Sequence, residues 1–253
     1  MPLQTVEPQR LYRQIAEQLR SLIAGGEFAS GGRLPAERDL ARQLGVSRPS
    51  VREALIALEV EGLVDVRTGS GIYVVAAAGQ GGSGAPARPL DPEEWGPLEL
   101  MRARELVEGE VAALAARHGR QAEVAAIVDA LAQMHDEAAA NRVPRAGDEA
   151  FHNAVACACG NEVLRDTVRG YWGARRGALF ERLGDHFENP ASWSAALVEH
   201  QAVVEAIRCR DPESARTAMQ AHLKKAYNRY SASWRRANAF HPASKPPNLR
   251  RHP

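Results

Sequence analysis

The chain has 253 residues, 45% hydrophobic and 25% charged, an ordinary balance for a globular protein and enough length for two domains with separate cores. Lysine and arginine number 32 against 31 aspartate and glutamate, a formal net charge of +1, which excludes a polycationic nucleic-acid binder and a highly charged disordered chain. No apolar run near Met1 could act as a signal and none is long enough to span a bilayer, so a cytoplasmic location is expected.

An amphipathic helix is expected over Leu11–Ala24, with Leu11, Ile15, Leu19 and Leu22 on one stripe and Gly25-Gly26 as its stop. Two short helical patterns follow from Leu34. In the first, Pro35 takes the first turn, and Leu40, Ala41 and Leu44 form the apolar stripe. Gly45 breaks that helix and permits the turn Gly45-Val46-Ser47. Ser47 then caps a second helix whose inner face is Val51, Ala54, Leu55 and Leu58, and which Gly62 ends. Two alternating segments, Leu63 to Val66 and Ile72 to Val75, flank Arg67-Thr68-Gly69-Ser70-Gly71. Residues 1–75 therefore read as a winged helix-turn-helix domain.

The polar residues at the start of the second helix point to DNA. Ser47, Arg48, Ser50 and Arg52 fall at its exposed N-terminal end, where a recognition helix meets base edges and phosphates. Arg48 and Arg52 are four residues apart and share a face. Nine arginines up to residue 75 are matched by nine aspartates and glutamates, so binding would depend on segregating arginine onto one face rather than on overall charge.

The composition changes after Val75: residues 76–89 read AAAGQGGSGAPARP, a flexible linker. Residues 90–240 are rich in Ala, Leu and Arg and carry helical periodicity, with helices expected at about 94–118, 121–140, 145–157, 161–183, 192–209 and 212–236. Asp211-Pro212 and Asn189-Pro190 are helix starts. The fold class is mainly α, with a winged helix-turn-helix followed by an all-α bundle of six or seven helices. The Pro-rich, basic residues 241–253 read as a disordered tail. Cys157, Cys159 and Cys209 have neither zinc-knuckle nor redox spacing, and the first two read as small core residues.

Within the bundle, Asp148 and His152 are spaced i, i+4 and project from one helical face. His200 and His222 lie on the last two helices. Three imidazoles and one carboxylate suit a divalent ion such as Zn²⁺, Ni²⁺ or Mn²⁺. With eight histidines in the chain, spacing alone leaves a surface or capping role open for each.

Longer strings carry a resemblance. Gly32-Arg33-Leu34-Pro35-Ala36-Glu37-Arg38, Leu40-Ala41, Gly45-Val46-Ser47-Arg48 and Val51-Arg52-Glu53-Ala54-Leu55, continuing through Gly62-Leu63 and Gly69-Ser70-Gly71, resemble the DNA-binding domain of GntR-family transcription regulators. The resemblance implies that Arg38, Arg48 and Arg52 contact operator DNA, with Ser47 and Ser50 assisting and the wing near Thr68 and Gly69 entering the minor groove. Asp148-Glu149-Ala150-Phe151-His152 with Gly160-Asn161, then Glu199 to Ile207, then Asp211, Ala215, Met219 and His222-Leu223, resemble the effector (FCD) domain of the FadR-like branch. In metal-binding members of that branch an Asp and three His hold an ion, which implies Asp148, His152, His200 and His222 here.

Arg104-Glu105-Leu106-Val107-Glu108 is similar to a pattern that opens this domain. Arg104 beside an open coordination position would suit a carboxylate effector; equally, it could pair with Glu108 on the helix surface. Arg165 and Asn161 are further candidates for the pocket, although Asn161 is as readily a helix cap. The function implied is a homodimeric repressor-type regulator on inverted-repeat DNA, tuned by a small carboxylate at the metal. Direct metal sensing is the alternative. A metalloenzyme fused to a DNA-binding module is disfavoured, since nothing resembles His-Glu-x-x-His.

Overall fold

The computed structural model describes residues 10–67, 70–75, 95–177, 179–180, 184 and 188–239, with 231–239 as backbone only. Thr68, Gly69, the expected linker at 76–89 and the expected tail at 241–253 lie outside the described residues. The chain divides into two compact units.

Helix α1 (Leu11–Ala24), which belongs to the smaller unit from Ile15 on, buries Ile15, Ala16 and Leu19. Leu11, expected on the stripe, is 48% exposed, and the stripe runs instead through its neighbour Tyr12. Helix α2 (Glu37–Leu44) starts after Ala36, so Pro35 precedes the helix rather than occupying its first turn. Gly45 takes φ +67°, the left-handed conformation that lets the chain turn without Cβ strain. Helix α3 (Arg48–Val60) is capped as expected: Ser47 Oγ accepts from Ser50 N at 3.3 Å. Its inner face, Val51, Ala54, Leu55 and Leu58, is fully buried.

Strands β1 (Val64–Arg67) and β2 (Gly71–Val74) form an antiparallel hairpin in the register Val64↔Val74 to Arg67↔Gly71, one residue displaced from the expected spans. Residues 31–34 add to the free edge of β2: Leu34 N donates to Ile72 O at 2.8 Å and Val74 N to Gly32 O at 2.8 Å. Gly71 takes φ +129°, a conformation that L side chains rarely adopt, so glycine is favoured there by the backbone, while a Cβ would also displace the flexible end of Arg33. Arg67 lies 4.6 Å from the Tyr73 ring centroid, and the Ser70 and Tyr73 hydroxyls are 2.8 Å or less apart, at 2.7 Å.

The larger unit is all helix among the described residues: α4 (Pro97–His118), α5 (Gln121–Ala139), α6 (Arg145–Ala158), α7 (Glu162–Ala174), α8 (Pro190–Arg208) and α9 (Pro212–Ala239). Helix α6 packs on α4, α5 and α7, while α8 packs on α4 and α5. The close α5–α6 approach depends on Gly147, where a Cβ would lie 2.8 Å from Met134 N. Asn189 and Ser192 cap the start of α8 reciprocally, at 2.9 and 3.0 Å, and Asp211 Oδ1 accepts from Ser214 N at 3.0 Å at the start of α9. Helix α7 ends at Ala174, short of the expected 183. Its end tightens into i→i−3 bonds, Arg176 N to Gly173 O and Gly177 N to Ala174 O, and the Arg175 side chain turns back toward α6. Cys159 is buried but Cys157 is exposed, because residues two apart on a helix face different ways.

Candidate functional site

Helix α6 presents Asp148 and His152 one turn apart; α8 supplies His200 and α9 His222. Their exposures are 5%, 1%, 0% and 5%, and one potential donor atom from each lies within 4.8 Å of all the others. The outer nitrogen of each ring is engaged. His152 Nδ1 bonds Glu108 Oε2, His200 Nδ1 is 2.7 Å from Ala196 O, and His222 Nδ1 is 3.0 Å from Glu199 Oε2. Such carbonyl and carboxylate partners fix the Nδ1–H tautomer and turn the Nε2 lone pair inward, the arrangement that metal-ligating histidines show.

The inward atoms have no such partners. Asp148 Oδ1, His152 Nε2 and His200 Nε2 are buried without a hydrogen bond among the described residues. His200 Nε2 and His152 Nε2 lie 3.0 and 3.6 Å from Asp148 Oδ1, without forming a hydrogen bond to it. Leaving a buried polar atom unpaired costs about 1–3 kcal/mol, and several orphaned donors converging on one point fit a bound cation. The donor set, three imidazole nitrogens and one carboxylate oxygen, therefore fits a borderline divalent ion.

A shell of charges holds these ligands. Arg104 Nε donates to Glu108 Oε1 at 2.5 Å, and Arg229 donates to both Glu199 oxygens at 3.0 and 3.1 Å. Burial pushes the Glu108 carboxyl up, but Arg104 and His152 override it and bring it to about 2. Glu199 also falls to about 2, where the His222 and Arg229 hydrogen bonds outweigh burial. Burial raises Asp148 too, yet His152 and His200 hold it well below the usual carboxylate range. Burial drives His222 down to about 3, helped by neighbouring His200. Burial alone would lower His152, but Glu108 raises it.

Beside this cluster lies a small cavity whose wall includes Arg104, Arg175, His222, Arg229, Tyr230 and Trp193. Arg104 is neither a solvent-facing fork nor half of a surface pair. It is 2% exposed and bonded to Glu108 inside the bundle, with its guanidinium 4.8 Å from the Trp172 ring centroid. Arg175 lies 4.1 Å over the same ring and donates to Asp148 Oδ2 at 3.2 Å. Neither Arg165 nor Asn161 lines the cavity: Asn161 caps α7, and Arg165 pairs with Asp166. No site role was legible in the sequence for Arg175, Arg229 or Trp172, and Glu199 stood in it only as part of a family string. Arg229 alone carried a signal, standing two helical turns beyond His222 on the same face.

In the smaller unit, Ser47, Arg48 and Ser50 stand at the start of α3, with the two serine hydroxyls 2.8 Å apart. The side chains of Arg38 and Arg48 are 78% and 52% exposed. Arg52 differs from expectation: it is 6% exposed, and its fork closes on Glu37 at 2.8 and 2.9 Å.

The family model of bacterial regulatory proteins, gntR family, matches residues 11–74, and that of the FCD domain matches residues 99–225. The chain belongs to the GntR family. It is a DNA-binding regulator of transcription with an FCD effector domain, and not an enzyme. This GntR member is 34% identical over 220 residues to the Uxu operon transcriptional regulator of Escherichia coli K12, covering 85% of each chain. It is 34% identical over 225 residues to the Exu regulon transcriptional regulator of the same strain, covering 88% of this chain and 85% of that one. The HTH-type transcriptional repressor NanR of Klebsiella aerogenes is 30% identical over 232 residues, covering 89% and 86%. No helix among the described residues is long and apolar enough to cross a membrane.

Proposed function

We propose that this GntR regulator holds a divalent ion, Zn²⁺, Ni²⁺ or Mn²⁺, on Asp148, His152, His200 and His222, and that a small carboxylate bound beside it sets the affinity for operator DNA. The observation that carries the proposal is the convergence of buried, unpaired donor atoms whose far sides are all engaged. The ion would supply a Lewis-acid anchor for one carboxylate oxygen. Arg104, Arg175 and Arg229 line the adjoining cavity together with Asp148 and Glu188, and their guanidinium groups would be the donors for an anionic ligand. Arg104 is bound to Glu108 through Nε and Nη2, and would meet the carboxylate through Nη1, whose partner among the described residues is the weak acceptor Met101 Sδ at 3.7 Å.

On the DNA side, Arg38, Ser47, Arg48 and Ser50 meet base edges and phosphates, and Thr68 and Gly69 contribute contacts in the minor groove. The protein acts as a cytoplasmic homodimer on an inverted repeat, in the sense of a repressor. The ligand must bind the DNA-competent and DNA-incompetent arrangements unequally, or it shifts nothing.

The test is thermal melting of metal-assayed protein against a panel of small carboxylates, with His222→Ala as control. At a hundred times its dissociation constant a ligand stabilises the native state by about 2.7 kcal/mol. A shift for one acid that vanishes in the control supports the proposal. Metal retained with no shift for any acid replaces it with direct metal sensing.

A further inference from the structure

Glu37 is the first residue of α2 and has no exposed surface. A carboxylate so placed needs counter-charge, and three guanidinium N–H groups supply it. Arg52 Nε donates to Oε2 at 2.8 Å, Arg52 Nη2 to Oε1 at 2.9 Å, and Arg48 Nε to the same Oε1 at 2.9 Å. The two arginines are not equivalent. The Arg52 side chain is 8% exposed and spends its fork on Glu37, whereas Arg48 is 52% exposed and spends only its inner Nε. The trio carries two positive charges and one negative, and the surplus is displayed at the half-exposed Arg48, whose bond to Glu37 uses Nε.

We infer that Glu37 is a specificity-determining positioning residue of the helix-turn-helix. With Arg52 as its buried counter-ion, it fixes Arg48 by Nε so that the outer edge of that guanidinium meets a base. Arg52 itself makes no phosphate contact. This inference rests on the reading above that the start of α3 meets DNA. A tethered guanidinium can present its two Nη groups to guanine in one orientation, while an untethered one finds phosphates at any sequence.

The experiment measures affinity of the full-length protein for two duplexes, one enriched from a random pool by wild-type protein and one of random sequence, across a salt series. Arg48→Ala should lower the ratio of the two affinities roughly tenfold, the order of discrimination one bidentate contact gives, and reduce the salt slope by about 1. Glu37→Gln should lower the ratio similarly, leave random-sequence binding equal or stronger because a negative charge is gone, and have no further effect in the Arg48→Ala background. Arg52→Gln should leave the salt slope unchanged.

Arg48→Lys keeps the charge on an exposed side chain and needs no refolding of the core. It lacks the fork that reaches carboxylate and base together, so it should lose the ratio and keep the slope. An unchanged ratio for Arg48→Lys, an additive effect of Glu37→Gln on Arg48→Ala, or a slope reduced by about 1 in Arg52→Gln overturns the inference. An unchanged ratio for Arg48→Ala overturns instead the reading that the start of α3 meets bases.

Discussion

The Glu108 carboxylate faces His152 Nδ1 on one side and accepts from Arg104 Nε on the other, so it fixes a ligand ring and aims a cavity arginine together. Carboxylates in this position raise ligand basicity and hold ring orientation. Glu108→Gln should weaken divalent-metal affinity about 10–100-fold while leaving helicity intact, as read by competition with a chromophoric chelator. Unaltered affinity would detach Glu108 from the ion. At this scale the sequence was partly legible. The i, i+4 spacing places Asp148 and His152 on one face, but His200 and His222 join them only through contacts between distant helices, which no local pattern encodes. The same limit hid the fate of Arg52. Its spacing from Arg48 is local, whereas the carboxylate that buries it lies fifteen residues earlier.

Helix α6 depends on an absence at Gly147. Glycine inside a helix costs about 0.5–1 kcal/mol relative to alanine, so alanine would ordinarily stabilise this position. Here a new Cβ would lie 2.8 Å from Met134 N and 3.0 Å from Met134 Cα, backbone that cannot swing aside. Overpacking of this kind costs about 1–3 kcal/mol and outweighs the propensity gain. Gly147→Ala should therefore lower the midpoint of denaturant unfolding and, by pushing Asp148 outward, reduce metal content; a more stable variant would refute the packing account. Element starts were the most legible part of the chain, because Ser47, Asn189 and Asp211 cap through their own side chains. Ends set by tertiary demands were less so. Nothing in the apolar period announces that α7 stops at Ala174, where Arg175 turns back to reach Asp148.

For the molecule as a whole, the two compact units should respond separately to loss of the ion. All four proposed ligands belong to the helical unit, so chelation should lower the melting transition of that unit and leave the winged helix-turn-helix where it was. Saturation at a hundred times the dissociation constant is worth about 2.7 kcal/mol, enough to resolve by calorimetry. A single transition that moves as one would show that the units do not melt independently. The overall division was suggested by the change from a mixed helix-and-hairpin pattern to uninterrupted helical periodicity. The existence of the cavity was not, since it arises from how α4, α6, α8 and α9 leave space among their side chains.

Asp148, His152 and His222 belong to two places at once, standing in the cluster and in the cavity wall, while His200 is wholly enclosed. Through these three residues the cavity borders the cluster directly and offers an ion a way in and out. A carboxylate seated there would stand between the ion and the outside, which imposes a sequence in time: ion in before ligand, ligand out before ion. Chelator-driven metal release should then slow as carboxylate concentration rises, and a release rate indifferent to the carboxylate would mean that the ion leaves by another door.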